Sequence, residues 1–316
     1  MTSSKPADAG RDRDPAAIDS RAVRRHFARA AATYDAAAVL QREVGTRMAE
    51  RLDVVRLVPD AILDAGCGTG EALAELAARY PKARRIALDV AFPMLALARS
   101  RAEERRSVMS RLLAPIRGAA GALPQFACGD IGALPFAHGT FGLVWSNLAL
   151  QWVSDLARSL AEFHRVLEVG GLVVFTTFGP DTLKELRAAF AGVDAHPHVS
   201  RFVDMHDVGD LLVHAGFADP VLQMEMITLT YADAPAMLRD LKAIGATNAM
   251  RGRGRGLMGR ERWHKALAAL VQTSSADGRI PVTFEVIYGH AWKAAPTRTP
   301  EGHAIVSLTR RRGPAL

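Results

Sequence analysis

The chain has 316 residues, 49% hydrophobic and 6% aromatic, with Lys+Arg 40 against Asp+Glu 33 and a formal charge of +7. That apolar share excludes a disordered chain, and unpatterned glycine and proline exclude a fibrous one. Two cysteines, Cys67 and Cys128, neither in a C-x-x-C pair, exclude a disulfide framework and a thiolate zinc site, while the positive balance favours an acidic partner.

Residues 1–19 are polar, hold Asp8, Asp12 and Asp14, and lack the apolar core of a secretory signal, so they read as a disordered leader. From Ser20 to Leu52, apolar and alanine positions recur at helical spacing through Val23, Phe27, Tyr34, Leu40, Val44 and Met48, predicting one or two amphipathic helices in a segment 20–58. A short apolar strand, Ala61-Ile62-Leu63, then enters the glycine-rich Gly66-Cys67-Gly68-Thr69-Gly70, and Glu71 to Tyr80 reads as a helix. Strand, glycine loop and helix open a nucleotide-type βαβ unit.

The rhythm continues with strand Arg85 to Asp89, helix Pro93 to Arg106, strands Gln125 to Ala127 and Phe141 to Ser146, helix Leu156 to Leu167 and strand Leu172 to Phe178. Alternating strands and helices predict an α/β fold with a parallel sheet covered on both faces. An arginine-rich insertion spans 99–123 and reads as a solvated helix face plus loop.

Beyond Phe178 the pattern predicts helices over Asp181 to Phe190, Asp207 to Ala215, Ala234 to Ile244 and Glu261 to Val271. Antiparallel strands are predicted over Val221 to Tyr231 and Val282 to Trp292. A domain 59–295 with a cap region 181–275 follows, and 296–316 reads as a tail with one short ordered piece, Ala304 to Leu308. The longest apolar runs are about one strand long, short of the roughly 20 residues of a membrane helix, which points to a cytoplasmic protein.

Three acids fall at the ends of consecutive strands: Asp64 before the glycines, Asp89 after the second strand and Asp130 after the third. Asp64 is placed to order the loop and reach a cationic amino-acid moiety, Asp89 to accept ribose hydroxyls, and Asp130 to reach an adenine amino group with Ile131 on the ring. Together with Gly66, Gly68 and Gly70, this set resembles the class I S-adenosylmethionine-dependent methyltransferases over Ala61 to Phe178. The resemblance implies a Rossmann-like, seven-stranded, mostly parallel sheet, S-adenosylmethionine as cofactor, and cofactor-binding roles for Asp64, Gly66, Gly68, Gly70, Asp89, Asp130, Ile131 and Asn147.

Outside that core, Phe27-Ala28-Arg29-Ala30-Ala31-Ala32-Thr33-Tyr34-Asp35, Ser146-Asn147-Leu148-Ala149-Leu150-Gln151-Trp152, Arg201-Phe202, Leu241 to Asn248 and Gly278 to Phe284 resemble the malonyl-acyl carrier protein O-methyltransferases of biotin synthesis. The likeness spans Arg21 to Lys293 and implies an N-terminal helical lid, a C-terminal cap insertion and methyl transfer to the free carboxylate of malonyl-acyl carrier protein. Asn147 to Trp152, Phe178 to Arg187, His198 to Ser200 and Gly302 to Ser307 also resemble the respiratory complex I assembly factors that modify an arginine, which leaves that activity as the alternative.

A malonyl carboxylate is ionised at pH 7, so no catalytic base is expected. Arg201 is the candidate cation for it, with Tyr34 and Gln151 as donors; Trp152 is expected beneath the cofactor. His196 and His198 flank a proline without a third ligand and read as loop residues, so no metal is expected. Arg251 to Arg255 lacks interleaved aromatics, and Asn147 to Leu150 is not an N-P-P-Y amine-acceptor motif, which argues against nucleic acid. The basic clusters Arg99 to Arg117 and Arg251 to Arg262 are expected to dock an acidic carrier protein, with no membrane partner and the chain as a monomer.

Overall fold

The computed structural model describes residues 14–105, 122–254 and 256–295. Helices α1 (Ser20–Ala30), α2 (Tyr34–Ala37) and α3 (Val39–Glu50) precede β1 (Ala61–Ala65). The core then alternates α4 (Ala72–Arg79), β2 (Arg84–Asp89), α5 (Phe92–Arg105), β3 (Gln125–Cys128), β4 (Phe141–Ser146), α6 (Leu156–Val166) and β5 (Leu167–Phe178). Helices α7 (Lys184–Ala191) and α8 (Met205–His214), strand β6 (Ala218–Tyr231), helices α9 (Ala234–Ala243) and α10 (Arg260–Val271), and strand β7 (Ile280–Trp292) complete it.

The seven strands form one sheet in the order β3-β2-β1-β4-β5-β7-β6, the first five parallel and β7 antiparallel to both neighbours. β1 and β4 read as unbroken apolar runs because both faces are covered, and every residue of each is buried. Alternate side chains face opposite layers: Trp145 and Val174 pack with Met48, Leu76 and Leu241, whereas Val144 and Phe175 pack with Leu160, Phe163 and Leu212. The chain runs outward from β1 through β2 to β3 and returns to β4, where Ile62 faces Leu143. That reversal opens a crevice at the carboxyl ends of β1 and β4, the place where such sheets bind ligands.

Several expectations shift. Residues 14–19, expected in a disordered leader, are ordered: Ile18 is buried and bridges Met250, and the Asp19 carboxylate caps α1 by accepting from the Arg21 and Ala22 amides. α7 begins at Lys184 rather than Asp181 because β7 claims the preceding turn. The Asp181 amide donates to the Glu285 carboxylate, Thr182 hydroxyl donates to the Glu285 carbonyl, and Leu183 takes a left-handed φ of 56°. β5 starts at Leu167, five residues early, because Leu167 pairs with Phe141 across a register shift.

Within 99–123, Arg99 pairs with Glu103 on its own helix and Arg101 crosses to Asp35. The remainder of the predicted insertion, residues 106–121, and the expected tail 296–316 with Ala304 to Leu308 lie outside the described residues. Among the described residues, no helix is long and apolar enough to cross a membrane.

Candidate active site

β1 delivers Asp64 and the glycine turn to the crevice. The Gly66 and Cys67 amides both donate to the Leu88 carbonyl, at 2.8 and 3.0 Å, which folds the loop over the end of β2. Gly66 has φ of 81°, and a Cβ there would stand 2.3 Å from the Ala149 methyl, so only glycine fits. Gly70 serves packing instead: a Cβ would meet Ala98 of α5 at 2.9 Å.

The Asp89 carboxylate accepts from the Gly68 amide at 3.0 Å and the Ala91 amide at 2.8 Å, pinning the loop to β2. Burial outweighs these bonds and raises its pKa. Asp64 is also buried, and its Oδ2 has no hydrogen-bond partner among the described residues. Burial, reinforced by the neighbouring Asp89, pushes its pKa up to about 8. Such an unpaired, buried acceptor is costly unless a cation meets it.

Three cavities converge here. The first is lined by Phe27, Tyr34, Gly66, Gly68, Asp89, Val90, Met94, Asp130, Ile131, Asn147 and Trp152 among others. The second is lined by Tyr34, Asp35, Gln41, Asp64, Gly66, Gly68 and Asn147. The third runs under the cap and is lined by Phe27, Tyr34, Gln41, Gln151, Trp152, His198, Phe202 and Thr247, with Phe178 and Phe284 in its wall. Tyr34 borders all three, and it stands beside Gly68.

This arrangement fits S-adenosylmethionine. The first cavity offers two carboxylates and an apolar wall to an adenosine, with the Asp130 side chain set by the Gly132 amide at 2.7 Å. The second offers the unpaired Asp64 oxygen to an ammonium. Phe27 and Trp152 meet edge to face with ring centroids 5.4 Å apart and separate the first cavity from the third. Tyr34 cannot ionise usefully, since burial and the nearby Asp89 and Asp35 push its phenol well above the ordinary value. Burial likewise holds the Cys67 thiol protonated.

The sequence expectations therefore divide. Asp64, Gly66, Gly68, Asp89, Asp130, Ile131, Asn147, Tyr34 and Gln151 come together. Gly70 borders none of the three cavities. Asn147 reaches the site, but its amide is occupied: Nδ2 donates to the Gln41 carbonyl at 2.9 Å and Oδ1 accepts from Thr176 at 2.7 Å, so it ties α3 to β5.

Arg201 requires correction. It is exposed and borders a fourth, outer cavity with Arg187, Asp194 and His196, because the segment around it is extended and sends Ser200 and Phe202 inward and Arg201 outward. His198 and His196 are loop residues, bonded to Asp194 and to the Gly252 carbonyl.

The docking clusters also change. Arg101 is engaged with Asp35, and Arg253 with Asp19 and the Met250 carbonyl. Unforeseen in the sequence were the meeting of Gln41 with Thr247 at the third cavity and the contact of Asp35 with Thr69 and Arg101. The only clue was a lone acid, Asp35, following Tyr34 in an alanine-rich run.

Comparison with known proteins agrees with this geometry. Residues 63–175 match the model of a methyltransferase domain. The chain is 51% identical over 292 residues to the malonyl-[acyl-carrier protein] O-methyltransferase of Gallionella capsiferriformans, covering 92% of this chain and 97% of that protein. It is 54% identical over 277 residues to the enzyme of the same name from Laribacter hongkongensis, covering 88% and 90%. Among solved structures, the YcgJ protein of Bacillus subtilis is similar in fold, with TM-score 0.57 at 16% identity over 81% of this chain and 100% of that one. A methyltransferase-like structure from Bacillus halodurans gives TM-score 0.55 at 15% identity over 78% and 97%. The arginine-modifying alternative finds no support in these relatives.

Proposed function

This chain belongs to the malonyl-[acyl-carrier protein] O-methyltransferase family, and on that premise we propose that it methylates the free carboxylate of a malonyl thioester carried on an acidic acyl carrier protein. The chain is a methyltransferase that uses S-adenosylmethionine, and the product, a malonyl methyl ester, is a masked starter for chain extension toward pimeloyl and biotin. The observation that carries the reading is the meeting of three cavities at Tyr34: one bordered by Asp89 and Asp130, one bordered by Asp64, and one bordered by Gln151 beneath the cap.

Bound S-adenosylmethionine supplies an electrophilic methyl group on a sulfonium. Asp64 takes its ammonium, Asp89 its ribose hydroxyls, and Asp130 with Ile131 its adenine. Tyr34 donates its hydroxyl toward the malonyl carboxylate at the junction, and Gln151 borders the space beneath the cap through which the thioester reaches it. Among the described residues, none bordering the third cavity is Lys or Arg, so no full cation there holds the attacking oxygen back. The carboxylate is already ionised at pH 7, and no base is assigned.

α1, α2 and the cap exclude water over the junction, where low dielectric favours the mutual neutralisation of opposite charges. Orientation within such a site is worth up to about 7–11 kcal/mol. Methyl-labelled S-adenosylmethionine tests the reading. The expected result is label on malonyl-carrier protein that is released as methanol in base. Equal labelling of acetyl-carrier protein, which has no free carboxylate, would overturn it, as would failure to rescue a biotin auxotroph lacking this step.

A further inference from the structure

We propose that the acyl thioester enters through the outer cavity, between the Arg187–Arg201 edge and the His198–Val199 partition, and that Arg201 binds the phosphate of the carrier's prosthetic arm rather than the malonyl group. The proposal rests on the malonyl-carrier reading above. Its starting point is that the third cavity and the outer cavity share His198 and Val199 as a common wall. The cavity beneath the cap, which reaches Tyr34, and the outer one beside Arg201 therefore adjoin at these two residues.

The polar atoms along these two cavities match an arm better than an acyl group. Three buried side-chain oxygens bordering the inner cavity have no partner among the described residues: Gln41 Oε1, Gln151 Oε1 and Thr247 Oγ1. The Gln151 amide is oriented by its Nε2 donating to the Leu148 carbonyl at 2.7 Å, which leaves an acceptor unpaired. A malonyl thioester at neutral pH has no N–H or O–H to offer such acceptors. The prosthetic arm of a carrier protein has two amide N–H groups separated by methylenes, and it ends in a phosphodiester. Buried acceptors for the amides, apolar walls from Phe178, Leu186, Phe202 and Phe284 for the methylenes, and a cation at the mouth follow that order of chemistry.

Charge selects this mouth over the other opening. In the outer cavity the two acids are engaged: Asp194 Oδ1 accepts from the His196 amide and His198 Nε2, and Asp14 Oδ1 accepts from the Ala16 amide. Arg187 donates to the Pro180 and Thr182 carbonyls, whereas Arg201 is exposed and, among the described residues, enters no ion pair. The second cavity, by contrast, is bordered by Asp35, Glu50, Asp64, Glu71 and Glu75 against Arg42, Arg79 and Arg105, so its acids outnumber its cations, and Arg42 and Arg79 are bonded to the Asp35 carbonyl and to Asp53. A phosphodiester on an acidic protein is repelled there and attracted at Arg201.

The experiment compares full-length wild type and Arg201→Glu, with S-adenosylmethionine saturating, on two substrates: malonyl-carrier protein and the malonyl thioester of N-acetylcysteamine, which has no phosphate. The expected result is a rise of about 10-fold or more in KM for the carrier substrate with kcat within about twofold, and unchanged kcat/KM for the small thioester. Equal loss on both substrates would place Arg201 at the acyl end and overturn the proposal. Unchanged kinetics on malonyl-carrier protein would overturn the route. A wild-type chain that methylates neither substrate would overturn the malonyl reading itself, and the proposal with it.

Discussion

The Thr69 hydroxyl donates to the Asp35 carboxylate at 2.6 Å, joining the glycine loop to α2 across 34 positions of sequence. Arg101 of α5 pairs with the same carboxylate and with the Thr69 carbonyl, so one acid fastens the lid to two elements of the cofactor domain. Asp35→Ala removes this fastening without touching Asp64 or Asp89. The contact is partly exposed, so its loss is worth about 1–2 kcal/mol, or 5–30-fold. The expected outcome is S-adenosylmethionine affinity weakened by about that factor in calorimetry, with the same change in Arg101→Ala. An unaltered affinity in both variants would mean that the lid closes without this contact.

Asp64 gives a pH signature. Folding raises its pKa from 3.8 to about 8, so the folded chain keeps a proton that the unfolded chain releases within that window. Its contribution to stability therefore falls as pH rises from about 4 to about 8 and is level above that. A cationic ligand reverses the preference, favours the carboxylate and expels the proton. Calorimetry at pH 7 in buffers of different ionisation enthalpy should show proton release on S-adenosylmethionine binding, and Asp64→Asn should abolish it together with most of the affinity. Binding without proton release would show that the ammonium lies elsewhere.

Tyr34 is expected to act by orientation. Tyr34→Phe keeps the ring at the junction and removes the hydroxyl, which should lower kcat by roughly 10–150-fold through loss of one hydrogen bond to a charged group. Cofactor affinity should stay within about threefold. Because burial holds the phenol protonated, the wild-type pH–rate profile should have no limb near pH 10 that the variant lacks. Appearance of such a limb in the wild type alone would make Tyr34 a base.

Asn147 is a brace whose removal is felt in stability first. Asn147→Ala leaves the Gln41 carbonyl and the Thr176 hydroxyl without their present partner. A loss of about 1–3 kcal/mol in urea unfolding follows from stranding buried polar groups. Gln41 also borders two of the cavities, so cofactor and acceptor KM should rise together. A fall in kcat with normal stability would instead mark direct contact with substrate.

The sequence made the donor half of the site legible because its chemistry is tied to strand ends. Asp64, Asp89 and Asp130 each terminate an apolar run, and a parallel sheet brings such ends together whatever the loops do. The acceptor half depends on facts of another kind. Arg201 lies in the right segment but on its outer side, and in an extended chain a single position separates inward from outward. Arg101 and Arg253 looked like free surface charge, yet each pairs with an acid far away in sequence, at Asp35 and Asp19. Contacts between residues so far apart have no local pattern. Gln41 and Thr247 lie in segments that the family resemblance already marked, but their meeting across one cavity has no local pattern either.

The lid is stitched to the far end of the chain. The Asp19 amide donates to the Ala249 carbonyl at 2.8 Å, the Arg251 amide to Ala17 at 2.9 Å, and the Thr33 hydroxyl to the Ala243 carbonyl at 2.9 Å. During biosynthesis, the helices that leave the ribosome first must wait for residues near 250 before these bonds form. Domains generally fold from the N-terminus as they are made, and long-range contacts close slowly. β1 to β5 can assemble while α1 is still undocked, and the roof over the methyl donor is then laid last. A nascent chain halted before residue 243 would thus hold β1 to β5, the three acids and the Asp35 fastening of α2, but would lack the bonds that tie α1 to residues 243–251.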